Sequence, residues 1–220
     1  NSAMLAGFIN YQSPVAGVLS LAVPDVRFCF DHFRPISGLS KVLDAHYHGQ
    51  KVHTPGSVAE FNLNCVYKDN YPGWGEDFFL KEEYSFSVSK EKVLETLKKS
   101  VENKDYIDCH AWCFTPHSFR LIIQDLYDLG FIKLREVDFF PSEGCEFFIA
   151  LGRRGAGSRL SRLEMLQGIN LEMLKGAEPE LLLKTGFAAM RNKARFRLKN
   201  FLRKNKQRLG SVRNQLLRFR

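Results

Sequence analysis

Long apolar runs and a leader sequence are both missing from this chain of 220 residues. No stretch of about 18 consecutive apolar residues occurs, so we expect no membrane-spanning helix. The amino end has no basic stretch followed by an apolar block, so we expect no signal peptide. The chain begins at Asn1 rather than at methionine, which fits a fragment or a processed product. We expect a cytoplasmic protein, with attachment to a membrane surface as an alternative.

Cysteines in the spacing of a metal site are also missing. The five cysteines are scattered along the chain: Cys29, Cys65, Cys109, Cys113 and Cys145. Cys109 and Cys113 do not form a CxxC pair, and no second pair lies nearby at ligand spacing. We therefore expect reduced, buried or half-buried thiols and no metal ion.

Acidic residues are scarce in the carboxy-terminal third of the chain. Residues 153–220 contain 18 Lys/Arg and 4 Asp/Glu, whereas residues 1–152 contain 14 and 20. From Phe187 to Arg220 there are 12 Lys/Arg and no acidic residue, and apolar residues recur at helical spacing. The pattern predicts a basic amphipathic helix with partners different from those of the mildly acidic body.

The body alternates helical and strand patterns. An apolar run, Val18–Val23, ends at Pro24 and predicts a buried strand. Helices are expected after Ser37, at Thr54-Pro55 and after Ser89, because each of these positions offers a capping residue. The second of these helices should extend to Val66. Residues 68–77 have the composition of a loop.

The best-defined unit begins at Thr115-Pro116, where a helix is expected that ends at Gly130. Strands are predicted over 131–137 and 146–151, joined by a turn at 141–144, so the final pair should be antiparallel. Residues 153–158 have the composition of a linker. We place the domain boundary there: 1–152 is an α/β body with a helical insertion, and 153–220 is a basic helical tail.

Several segments resemble a known family: GVLSLAVPD at 17–25, RFCFDHFRP at 27–35, DCHAWCFTPHSF at 108–119 and EGCEFFIAL at 143–151. They are similar to class I S-adenosylmethionine-dependent methyltransferases, in particular a bacterial subgroup associated with glycan biosynthesis. The resemblance covers about residues 17–152. It implies the last third of a Rossmann-like sheet, with the Val18 run beside the closing antiparallel pair.

The resemblance also implies a missing part. In this family S-adenosylmethionine is held by a glycine-rich turn after the first strand, upstream of the region that matches, and no GxGxG occurs in the chain. The resemblance therefore implies a carboxy-terminal half that does not bind the cofactor normally by itself. No residue of the chain is assigned to the cofactor.

Candidate site residues follow from where ligands bind in open α/β sheets, outside the carboxyl ends of the strands. Methyl transfer often needs a base for the acceptor proton, and histidine suits that role. His32 is the first candidate, with Asp31 as an orienting partner, and His110 is the second. The alternative for both histidines is a structural hydrogen-bonding role.

Four further residues are candidates for holding the acceptor. Arg27 and Arg34 could bind a phosphate or carboxylate, and Trp112 and Tyr71 could stack on a sugar ring. The alternative for Arg34 is an ion pair with Asp31.

The function expected is methyl transfer to a small molecule or a sugar or glycan intermediate. The alternative is a non-catalytic remnant or an interaction module. In that case the basic tail would bind an anionic membrane, a protein or nucleic acid, which the charge pattern alone does not separate. The sequence does not identify the acceptor or the methylated atom.

Overall fold

The computed structural model describes residues 17–68, 71–72, 84–102 and 106–175. The first half contains β1 (Val18–Pro24), a 3-10 helix (Val26–Phe28), α1 (Leu39–Tyr47), α2 (Pro55–Asn64), β2 (Val66–Lys68), β3 (Tyr71–Pro72) and β4 (Ser85–Phe86). The second half contains α3 (Lys90–Glu102), α4 (Pro116–Asp128), β5 (Arg135–Glu143), β6 (Glu146–Gly152) and α5 (Arg162–Lys175). This part of the chain is a mixed α/β fold with antiparallel sheets.

The larger sheet brings the two ends of the body together. Its strand order is β1-β6-β5, and both pairs are antiparallel. Leu21 lies opposite Ile149 and Val23 lies opposite Phe147, so the apolar side chains of both strands face the same side. The strand predicted at the Val18 run and the antiparallel final pair are both confirmed.

The prediction that β1 is a buried strand is wrong. Val23 is its one buried residue, and Val18 is 58% exposed. Leu19 and Leu21 pack against the core, whereas Ser20 and Ala22, on the opposite face, are exposed. Successive side chains of a strand point to opposite faces, so an apolar run is buried throughout only where both faces are covered.

The hydrophobic core lies between the inner face of this sheet and α4. Phe119 of α4 meets Phe147 of β6 with ring centroids 5.9 Å apart, and both side chains are almost fully buried. Burying each such ring contributes about 1.5–3 kcal/mol. The cluster consists of Val23, Val42, Phe114, Phe119, Ile122, Ile123, Leu126, Ile132, Leu134, Phe147, Ile149 and Leu151.

Three of the predicted helix starts are capped as expected, and at Ser89 the hydroxyl accepts from the Lys92 N–H at 3.3 Å. The Thr54 hydroxyl accepts from the Ser57 N–H at 3.2 Å, and Thr115 forms a reciprocal capping box with Ser118. The cap predicted at Ser37 is wrong, because α1 begins after Gly38. The Ser37 hydroxyl accepts instead from the Cys113 N–H at 3.1 Å. This tertiary hydrogen bond occupies the hydroxyl that was expected to cap the helix.

The start of one strand and the position of the hairpin turn differ from the predicted ones. The strand expected over 131–137 begins at Arg135 instead, and the hairpin turn lies at Gly144 and Cys145 rather than at 141–144. Residues 131–134 carry the chain from the helix end into the sheet, with Ile132 and Leu134 in the core. Register shifts in β5 accommodate Pro141 near the turn.

A small second sheet occupies a region predicted as the end of a helix and a loop. Its order is β3-β2-β4, and β2 pairs antiparallel with both neighbours. Val66, expected on the second helix, is buried in β2. With strands of two or three residues, this sheet is too short for periodicity to indicate it.

The residues predicted to be a linker pack against the sheet. The Gly157 N–H donates to the Glu136 carbonyl at 2.9 Å, and a side chain at Gly155 would lie 2.5 Å from the Arg135 carbonyl oxygen. The small residues that indicated flexibility are required by this close approach. The linker prediction is therefore wrong.

Gly168 of α5 offers a direct test of how this helix packs. A Cβ at Gly168 would lie 2.6 Å from Cδ2 of His117, the second residue of α4. We expect Gly168→Ala to lower the free energy of unfolding by about 1–3 kcal/mol through overpacking. Urea denaturation followed by circular dichroism measures it.

The matched control is Gly56→Ala in α2, where the new Cβ meets only the Thr54 hydroxyl at 4.0 Å. Gly56→Ala should leave stability unchanged or raise it by about 0.4–1 kcal/mol. Equal effects at the two glycines would contradict the packing of α5 on α4 described here.

In the described part of the chain, the helices are all too short or too polar to cross a membrane. The basic segment from Phe187 to Arg220 lies outside the described residues. Its predicted helix and its predicted binding to a membrane surface, a protein or nucleic acid stay predictions.

Candidate functional site

The site is built around a contact at the carboxyl end of β1. Asp25 forms a parallel bridge with Phe114, and the Val26 N–H donates to the Phe114 carbonyl at 2.8 Å. The aromatic segment after Asp25 and the segment before Phe114 therefore diverge from one point. The bridge brings together two stretches about 80 residues apart that both carry predicted site residues.

Arg27 forms an ion pair with Asp25. Its Nε and Nη2 atoms donate to the two Asp25 oxygens at 2.9 and 2.5 Å, and Ser142 Oγ donates to the same carboxylate at 2.5 Å. Asp25 is fully buried. The Asp25 carboxylate therefore occupies two donors of Arg27, and the binding of an external anion by this residue stays a prediction.

Asp31 and His110, two of the three predicted catalytic residues, are in direct contact. His110 Nδ1 lies 3.0 Å from both Asp31 oxygens. The carboxylate is 1% exposed and the imidazole is 33% exposed, so a buried anion orients a ring that reaches the surface. The orienting role proposed for Asp31 thus applies to His110 rather than to His32.

Arg34 holds this pair in place. Its Nη1 donates to Asp31 Oδ2 at 2.9 Å and to the His110 carbonyl at 2.6 Å, while Nη2 donates to Glu60 Oε2 at 3.3 Å. The Arg34 side chain is 0% exposed, so an external phosphate or carboxylate cannot reach it. The alternative interpretation, an ion pair with Asp31, is confirmed.

The surroundings of Asp31 keep it ionised. Burial raises the pKa of its carboxyl, but the hydrogen bonds and charges of His110 and Arg34 outweigh burial, and the net shift of the pKa is downward. An ionised Asp31 accepts a hydrogen from Nδ1 of His110, which leaves the lone pair of the neutral imidazole on Nε2.

Aromatic rings flank the His110 imidazole. Phe30 lies 5.1 Å from it and Phe61 of α2 lies 5.5 Å from it, measured between ring centroids. Phe30 and Phe61 also contact each other edge to face. The imidazole is thus held between apolar walls that restrict its rotation.

His32, the first candidate for the base, faces a different set of groups. Its Nδ1 lies 3.0 Å from the Cys29 carbonyl, and its ring packs against Phe33 and Tyr84 at 4.0 and 5.4 Å. Burial lowers the pKa of the imidazole, against the opposing effect of the Cys29 carbonyl. A lowered pKa keeps His32 neutral near pH 7, but the carboxylate beside it in sequence is bonded to His110.

The two residues predicted to stack on a sugar lie in different surroundings. Trp112 stacks on Phe114, and the ammonium of Lys41 lies 5.6 Å from the Trp112 ring centroid while donating to the Ala111 carbonyl at 2.9 Å. Tyr71 lies in β3, opposite Lys68 in the small sheet. The stacking roles stay predictions.

The cysteines are placed as expected from composition. Cys145 is half-buried and the other four are buried, and all five are free thiols. Burial raises the pKa of Cys109 to about 11 and that of Cys113 to about 12, so these thiols stay protonated near pH 7. In the described ranges no three His, Cys, Asp or Glu side chains are grouped to hold a metal ion.

The left-handed glycines of the described residues lie at helix ends and turns, at Gly49, Gly130, Gly144 and Gly157. After β1 the chain enters the Asp25–Arg27 ion pair. The use of S-adenosylmethionine stays a prediction.

Sequence reasoning missed Glu60, Lys41 and the spatial partner of Asp31. Glu60 lies on α2 and Lys41 on α1, and their sequence neighbourhoods carry no motif that indicates a site. Both helices pack beside the Asp31–His110 pair only in the folded chain. The chain as a whole matches no family model, no curated protein and no solved structure.

Proposed function

We propose that this chain carries the acceptor-binding side of an S-adenosylmethionine-dependent methyltransferase. In this proposal His110 takes a proton from a hydroxyl or amine of a small molecule or of a sugar or glycan intermediate. The observation that carries it is the Asp31–His110 pair, held at the bridge between Asp25 and Phe114. Ligands of open α/β sheets bind at this end of the strands.

The order of the larger sheet supports the same proposal. The resemblance implies that the Val18 run lies beside the closing antiparallel pair, and β1 pairs with β6, which pairs with β5. The strand order of the larger sheet agrees with the order that the resemblance implies. The methyl donor in this proposal comes from the resemblance alone.

The proton-transfer step needs little from the protein beyond His110 and Asp31, which orients its ring. Asp31 fixes the Nδ1–H tautomer, so Nε2 is the atom that accepts the acceptor proton as the acceptor oxygen or nitrogen becomes nucleophilic. The imidazolium that forms is stabilised by the ionised carboxylate. The exposed fraction of the ring, 33%, lets an acceptor approach it.

The ion pairs of Arg27 and Arg34 favour a neutral acceptor. Arg34 is 0% exposed and paired with Asp31, so it offers no site for a phosphate, and two donors of Arg27 already bind Asp25. Phe30 and Phe61 add apolar surface around the imidazole. A sugar or other hydroxyl compound without a charged group suits this arrangement better than a sugar nucleotide bound through its phosphates.

The proposal is tested by binding of S-adenosylhomocysteine to the longest polypeptide that the gene encodes. We expect a one-to-one complex in titration calorimetry. A concentration of 100 times Kd should stabilise the protein by about 2.7 kcal/mol. For a protein of this size that corresponds to a rise in Tm of roughly 5–10 °C.

The comparison sample is the 220-residue chain, for which we expect no normal binding. Adenosine at the same concentration controls for nonspecific binding of the nucleoside. If the full gene product does not bind S-adenosylhomocysteine, the methyltransferase proposal is wrong.

A further inference from the structure

The guanidinium of Arg34 contacts three groups around His110. It donates to the Asp31 carboxylate at 2.9 Å, to the backbone carbonyl of His110 at 2.6 Å and to Glu60 at 3.3 Å. Its side chain is fully buried and its centre lies 5.7 Å from the Phe61 ring centroid. One side chain thus joins α2, the turn that carries Asp31 and the segment that carries His110.

This arrangement has a geometric consequence. The Arg34 Nη1 atom is bonded to the carboxylate that orients the imidazole and also to the backbone of the same histidine. The separation between Asp31 and the His110 main chain is therefore fixed, and the Nδ1 contact cannot be lost by a shift of either segment alone. A planar guanidinium can hold several acceptors in fixed directions, which an ammonium cannot.

We propose that Arg34 is the positioning residue of this site, which fixes the His110 imidazole through Asp31 and the His110 backbone. The role of His110 as a base belongs to the proposed function, on which the meaning of this inference rests. The contacts themselves do not depend on it.

Other charged groups surround the pair. Lys41 approaches from α1, where its ammonium is held at the Ala111 carbonyl, and burial together with the charge of Arg34 lowers its pKa. Glu60 approaches from α2, and Asp108 lies on the segment of His110 itself. Lys41 and Asp108 remain unchanged in the variants below, so their contribution is constant.

The test compares the ¹⁵N chemical shifts of Nδ1 and Nε2 of His110 in the 220-residue chain, which differ when one ring tautomer dominates. In Arg34→Gln we expect this difference to shrink, because Asp31 and the His110 main chain are no longer joined by one guanidinium. In Glu60→Gln we expect it to stay close to that of the wild type, because the Arg34 Nη1 atom, which makes both contacts to the pair, is left in place.

Arg34→Lys separates charge from geometry. It keeps the positive charge, but a single ammonium cannot reproduce the three contacts. We therefore expect Arg34→Lys to reduce the difference between the two ring nitrogens as Arg34→Gln does. In the active gene product we expect both variants to lower kcat with little change in KM.

The matched control is Arg162→Gln, which removes an arginine paired with Asp125 at 3.0 and 3.2 Å on the surface. It should leave the ring-nitrogen shifts of His110 unchanged. If Arg34→Gln does not fold, Arg34→Lys decides the question, since it keeps the buried positive charge. Ring-nitrogen shifts that are unchanged in the folded Arg34 variants would overturn the inference even if methyl transfer were established, and their change would support it even if methyl transfer were not found.

Discussion

Replacement of His110 by alanine is expected to lower the turnover of the full gene product by about 10²- to 10⁴-fold, the usual contribution of a general base. His110 is the partly exposed ring that a buried carboxylate orients. The variant should keep its KM largely unchanged, because the acceptor is held by other groups. The measurement is S-adenosylhomocysteine formation with a panel of neutral monosaccharides and methyl glycosides.

The control is His48→Ala, which removes an exposed histidine bonded to the Asp44 carbonyl at the end of α1. It should turn over at the wild-type rate. His32→Ala distinguishes the two candidate bases of the sequence. A loss with His32→Ala that equals or exceeds the loss with His110→Ala would show that the base was assigned to the wrong ring.

The second large effect is expected on stability. Asp31→Asn keeps the shape of the side chain but leaves the guanidinium of Arg34 buried beside a neutral amide. Removing one partner of a buried ion pair costs about 3–5 kcal/mol, which is a large part of a typical total of about 5–15 kcal/mol. Urea unfolding at pH 7 measures the difference.

The pH dependence of this difference follows from the direction of the pKa shift. The pKa of Asp31 is lowered in the folded chain, so the unfolded chain binds the proton more tightly. The carboxylate therefore contributes its full stability above the unfolded pKa of about 3.9, and that contribution is lost as the pH falls through the lower folded pKa. The gap between the wild type and Asp31→Asn should narrow over this acidic range.

The control is Asp44→Asn at an exposed position of α1. It should leave the free energy of unfolding close to that of the wild type. A gap between the wild type and Asp31→Asn that is small at pH 7, or that widens in acid, would contradict the buried ion pair. The result does not depend on the identity of any substrate.

Local signals were read correctly where the responsible contacts are themselves local. Thr54-Pro55 and Thr115-Pro116 begin helices because the threonine hydroxyl reaches an amide three residues ahead. The same reasoning failed at Ser37, whose hydroxyl is engaged by Cys113, 76 residues away. A capping residue is a reliable signal only while its side chain is not needed elsewhere.

The candidate site shows the same division. The sequence brought His32, Asp31 and His110 into consideration, because histidines and carboxylates in an aromatic segment after a strand suggest proton transfer. The pairing of Asp31 with His110, 79 residues apart, was decided by the bridge between Asp25 and Phe114. The role of Glu60 could not be predicted either, because it depends on where α2 packs.

The glycines at 155 and 157 give a third case. Their composition predicts a linker, and composition alone cannot show that the chain passes within 2.5 Å of the Arg135 carbonyl. Small residues are common both where a chain is free and where it must pass close to another backbone. Only the position of β5 distinguishes the two.

The sequence alone determined the charge division between body and tail, the strand at Val18 and the helix starts at the two Thr-Pro pairs, because each depends on neighbours within a few positions. The tertiary structure decided which face of β1 is buried, that Arg34 is inaccessible, and which histidine the buried Asp31 orients. These depend on distances between residues far apart in the chain, which are set only when the sheet and its helices pack together.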